Sequence, residues 1–316
     1  MADDAGVPSL SDPPELKADW LELCAVRDTD VCTSLADIQS ALTVSGTADA
    51  VDDEDGSGPT LGDADRYEAA AEAAFFEIDD RSVSCDCDDL GYPFEIDSTS
   101  LVAVSGSMES VYVFLLLLSK YGHATRINGD NGAKLFEEVC AQAAAAYLGG
   151  PHSHVASFVF GFPRRTAPGG FACAVDSLCD QLREGGGNRA RPRTKDQKDA
   201  KLDIVAWRAF ADSRGGKLIA FGQCATGSDW PDKVHELGAP AGWCKLWMRE
   251  ELAVDPLKMF FVPHRVPGDR WLETCVGGGI LFDRCRIVQH SCHLDDALRQ
   301  RIATWSATVM AHNVQT

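Results

Sequence analysis

A chain of 316 residues with 45% hydrophobic content can fill a sizeable core, as one large domain or two ordinary ones. Its net charge of −19 sits at one end: residues 1–100 hold 26 Asp and Glu against 4 Lys and Arg, whereas 101–316 balance at +3, so the total does not exclude a nucleic-acid partner. The longest apolar run, VYVFLLLL at 111–118, is too short to span a bilayer, and the opening MADDAGVPSL lacks the basic start and apolar stretch of a signal peptide. With 12 cysteines thinly spread in mostly apolar settings, the expectation is a cytoplasmic protein with reduced, buried thiols.

In chain order, the Pro13-Pro14 signal predicts a helix from about Glu15 to Val26. Residues 44–66 are acidic, rich in Gly and Ser and nearly free of large apolar side chains, which predicts a linker; 66–78 read as helix and 79–94 as loop and turn. A core helix follows at 108–121. An Asn-Gly-Asp-Asn-Gly turn then leads into an Ala-rich helix stopped by Gly149-Gly150. Residues 156–163 read as a strand and 170–187 as an amphipathic helix. KLDIVAWRAF (201–210), a DSRGG turn and KLIAFGQC (217–224) form a predicted hairpin. A short helix at 230–237, strands at 257–264 and 278–288 and a closing helix at 294–310 complete a mixed α/β (α+β) pattern. Residues 1–100 thus form an acidic, mainly helical and loop region, and 101–316 a second domain.

Polar endings of buried strands are where sites tend to be built. Asp203 stands where the first hairpin strand turns from polar to apolar, Gln223 ends the second strand, and Glu137 follows Phe136 in the Ala-rich helix. Two carboxylates and a strand-end amide could surround a hard divalent cation, which would polarise a phosphoryl oxygen and lower the pKa of an attacking water. At LFEEVCAQAAAAYLGG, KLDIVAW and GQCATG, over roughly residues 130–265, the chain resembles the PD-(D/E)XK nuclease superfamily, specifically its Mrr-type restriction endonucleases. The resemblance implies a restriction-endonuclease-like mixed sheet flanked by helices. It also implies Mg²⁺ or Mn²⁺ held by Glu137, Asp203, Gln223 and the Cys224 backbone carbonyl, and hydrolysis of phosphodiesters in nucleic acid, most naturally DNA, in prokaryotic restriction or anti-phage defence.

The lysine of that pattern would fall at Ala225, which can neither orient water nor stabilise developing charge. Either the lysine has moved, with Lys233 one short helix further on reaching back as a catalytic group, or the domain is a catalytically inactive subunit binding nucleic acid or a protein partner. The stretch 183–201 carries seven basic residues against three acidic, which makes Arg189, Arg191, Arg193, Lys195, Lys198 and Lys201 candidate phosphate contacts; the acidic N-terminal region suits protein partners. Competing readings are Cys224 as a nucleophile with His235 or His264 as base, and zinc at CDC (85–87) or HSCH (290–293).

Overall fold

Helix α1 (Pro14–Arg27) starts at the double proline and buries Ala18, Leu21 and Ala25. The computed structural model describes residues 6–27, 33–51, 61–87, 91–122, 126–150, 154–162, 170–190, 198–212 and 214–314. Strand β1 (Thr33–Ser34) leads into α2 (Leu35–Val51), and α3 covers Leu61–Ser84. The linker expected at 44–66 is therefore helical at both ends. Ile38 and Leu42 are fully buried at the start of α2, and a helix nucleated on such contacts extends through residues that could not start one. Helix α3 also runs past the expected stop at Ile78, because Arg81 in its last turn is fully buried and bonded to Glu77, Asp19 and Glu22. Strands β2 (Phe94–Asp97) and β3 (Ser100–Ala103) close a small antiparallel sheet, order β1-β3-β2, starting at the end of the stretch 79–94 expected as loop and turn and running on where no strand is expected.

Helix α4 (Val111–Tyr121) is capped by Ser110, whose hydroxyl accepts the Val113 N–H, and from Val111 to Leu118 it is buried on every face, which suits its near-continuous apolar run. A two-residue-strand hairpin, β4 (Arg126–Ile127) and β5 (Asp130–Asn131), feeds α5 (Gly132–Tyr147). The five-stranded sheet then forms from β6 (Val155–Val159), β7 (Ile204–Arg208), β8 (Leu218–Cys224), β9 (Leu257–Phe261) and β10 (Ile280–Phe282). Its spatial order is β10-β9-β8-β7-β6; the β6–β7 and β7–β8 pairs are antiparallel, the β8–β9 and β9–β10 pairs parallel.

Alternation along β7 and β8 splits the core into two layers. Ile204, Ala206 and Ala220 face α5 and share a cluster with α4 and the closing helix α11 (Asp296–Val314), while Val205, Trp207, Ile219 and Phe221 cluster with α6 (Phe171–Leu182) and α8 (Pro240–Trp247). The first layer is continuous with the cores of α1, α2 and α3, so the acidic first hundred residues and the sheet share one apolar interior. Between β8 and α8 lies the short α7 (Trp230–Lys233). The strand expected at 278–288 is only β10; α9 (Gly268–Gly278) precedes it and α10 (Arg284–Gln289), capped by the Asp283 carboxylate, follows. A Cys87–Cys292 disulfide departs from the expectation of reduced thiols, the fold bringing the two Cα atoms to 6.0 Å; the other described cysteines are free. No helix among the described residues is long and apolar enough to cross a membrane.

Candidate functional site

Asp203 is held from three sides at the shoulder of β7. Its N–H donates to the Gly222 carbonyl (3.0 Å), its carbonyl accepts from the N–H groups of Phe160 (2.7 Å) and Gly161 (2.9 Å), and its Oδ2 accepts the Cys224 N–H at 2.8 Å. The carboxylate is thus fixed where the central hairpin opens. Glu137 comes from the first turns of α5, whose start is set by the Asn131 side chain accepting the Lys134 N–H. Its carboxylate, 8% exposed, lies against Gly161, where a Cβ would meet Oε2 at 2.3 Å. Glycine at 161 is what lets this carboxylate reach the strand ends.

Burial raises Glu137 to about 8, and the facing Asp203 adds to the rise; Lys134, with Nζ 2.7 Å from both carboxylate oxygens, opposes it without cancelling it. Loss of hydration likewise raises Asp203 to about 6, against the Cys224 N–H and with help from Asp199. Both acids resist ionisation, Glu137 partly on account of Asp203, and nearby cations offset this only in part. Lys134 is one of these cations. Its signal in the sequence was its place one helical turn before Glu137, which puts both on one face.

A cleft of about 530 Å³ opens beside Asp203, bounded by Gln223, Cys224, Lys198, Lys201, Lys233 and Glu236. Gln223 is 3% exposed, and its amide braces the turn after α7: Oε1 accepts the Leu237 N–H and Nε2 donates to Glu236, both at 3.2 Å. Lys201 pairs with the same Glu236 at 2.9 Å, and Lys233 pairs with Asp229 at 2.8 Å. Ala225, where the lysine of the pattern would fall, is packed at 2% exposure with Trp230, Val234 and Phe260.

Of the six basic candidates, Lys198 and Lys201 line this cleft. Arg189 instead bonds through its N–H to the Trp247 carbonyl and through its guanidinium to that of Arg249. Arg191, Arg193 and Lys195 lie outside the described residues. Burial holds the Cys224 thiol, which hydrogen-bonds Cys140, well above the ordinary cysteine range, the reverse of what a nucleophile requires. The CDC and HSCH stretches meet, but through the Cys87–Cys292 disulfide. Among the described residues no group of three or more His, Cys, Asp or Glu is arranged to hold a metal ion. Glu137 and Asp203 are the two carboxylates that could serve a cation such as Mg²⁺, which keeps several waters and takes substrate phosphate oxygens as further ligands. No known protein family, curated protein or solved structure matches the chain.

Proposed function

We propose that the cleft beside Asp203 hydrolyses phosphodiester bonds in nucleic acid, most naturally DNA, with a divalent cation held by Glu137 and Asp203. The observation that carries this reading is the pair of raised carboxylates, buried Glu137 from a helix and Asp203 from a strand shoulder, of which Asp203 lines an open cleft with three lysines on its walls. It is joined by the mixed sheet with helices on both faces, which agrees with the resemblance to restriction endonucleases. A bound Mg²⁺ or Mn²⁺, with the Cys224 carbonyl as a further oxygen, would stabilise developing phosphoryl charge and lower the pKa of water. Lys198 and Lys201 draw the backbone phosphates in, and the Cys224 N–H fixes the orientation of Asp203. We assign the role expected of Lys233 to Lys134, whose ammonium bonds both oxygens of the Glu137 carboxylate and can orient the attacking water. Lys233, held by Asp229 on the cleft wall, contacts substrate. Gln223 acts through Glu236 and Leu237 as a positioning residue.

The test is cleavage of plasmid, linear, single-stranded and RNA substrates with Mg²⁺, Mn²⁺ or EDTA. Metal-dependent cutting by the wild type, abolished in Asp203→Asn, is expected. A second reading, an inactive nucleic-acid-binding subunit, draws on the sealed Ala225 position and the engaged Gln223 amide. It requires metal-independent binding with no cutting of any substrate, a result that would overturn the first.

A further inference from the structure

A second groove, of about 690 Å³, lies between α3 and the α9 region, away from the carboxylate pair. Its α3 wall presents Phe76 and Val83, 77% and 73% exposed; they stand seven residues apart, two helical turns, and so share a face. The neighbouring Phe75 is 8% exposed, so α3 buries one phenylalanine and offers the next to solvent. Trp271 of α9 forms the facing wall, and Leu272 beside it in sequence is 75% exposed.

The charges inside are lopsided. Glu15, Glu77, Asp80 and Asp86 line the groove against Arg265 and Arg286. Both cations are already engaged. Arg265 is bound by Glu77, Asp80 and Asp283, while Arg286 lies over the Trp271 ring at 4.5 Å and donates to the Leu281 carbonyl. Glu15 Oε2 is buried without a hydrogen-bond partner, and Asp86 is exposed. Burial, with Glu77 close by, also raises the Glu15 carboxyl, although Arg81 and Arg265 oppose the rise.

We propose that this groove is a docking surface for a protein segment that carries a basic side chain between bulky apolar ones. The apolar residues would cover Phe76, Val83 and Trp271, and the cation would meet Glu15 and Asp86. This is the amphipathic helix-in-groove mode of recognition, and its charge matches the strongly acidic first hundred residues. It stands independently of the nuclease reading.

The test uses the full chain and two synthetic amphipathic helical peptides with the same leucines, one bearing lysine and arginine, the other glutamate. Affinities are measured by fluorescence anisotropy, and oligomeric state by light scattering. The basic peptide should bind at least about tenfold more tightly than the acidic one. Phe76→Ser and Val83→Ser, both exposed and charge-neutral changes, should each weaken it by about tenfold. Unchanged affinity in both variants would reduce the attraction to net charge and overturn the proposal. So would equal binding of the two peptides. A wild-type dimer that Phe76→Ser dissolves would make a second copy the occupant, and would overturn it too.

Discussion

Glu137 carries a free-energy cost that can be read through pH. Its folded-state pKa, about 8, lies above the ordinary 4.5, so the protonated form is the one the fold favours. Stability from this group is greatest below the ordinary value and is lost as pH rises through the interval up to about 8; Asp203, raised to about 6, loses its share over a lower interval. In metal-free buffer, Glu137→Gln should therefore gain stability relative to the wild type between pH 5 and pH 8.5, on the order of 2–4 kcal/mol, read from urea unfolding at both pH values. A gap that does not change with pH would mean that the carboxyl is not strained. Lys134→Ala should lower kcat by about 10²-fold, while Lys233→Ala should act chiefly on KM, by steady-state kinetics on a cleaved substrate. Gly161→Ala has no room for its methyl, since the Glu137 carboxylate occupies the space. It should cost about 1–3 kcal/mol or displace that carboxylate, seen in thermal unfolding and in lost metal dependence.

At the scale of elements, the hairpin was legible because β7 and β8 alternate between two apolar layers, and α1, α4, α5 and α11 because cap, glycine-stop and apolar-run signals surround them. Helix α9 was not. Its exposed Leu272 and Val276 and its glycines give no buried stripe for a periodicity reading to find. Helix α3 overran its expected end because a buried ion network lies far apart in sequence. Arg81 and Arg284 both meet Asp19 of α1, and Tyr92 and Tyr112 donate to Glu22. Burial alone would raise Asp19, yet the two guanidiniums outweigh it and hold it below its usual range. Arg81→Met should therefore destabilise the chain by about 3–5 kcal/mol, because it leaves buried carboxylates uncompensated; denaturant unfolding is the measurement. In the site, the sequence offered Glu137, Asp203 and Gln223. That Gln223 braces a turn, and that Gly161 and Lys134 attend Glu137, depends on contacts between elements whose packing no local pattern encodes.

For the whole molecule, the charge split between residues 1–100 and 101–316 suggests two independent halves, but the interior is shared. Leu21, Ile38 and Ile78 belong to the same apolar cluster as Phe114, Phe136 and Trp305. A 101–316 truncation would expose that surface. On the proposed reading, the Glu137–Asp203 pair is a cation site that the fold leaves unsatisfied. Calorimetric titration of the full chain with Mn²⁺ at pH 6 and pH 8.5, beside Asp203→Asn, tests it most directly. Binding should tighten by about tenfold or more at the higher pH, as the cation displaces the protons that both acids retain, and should vanish in the variant. Affinity that is the same at both pH values, or that survives Asp203→Asn, would contradict it.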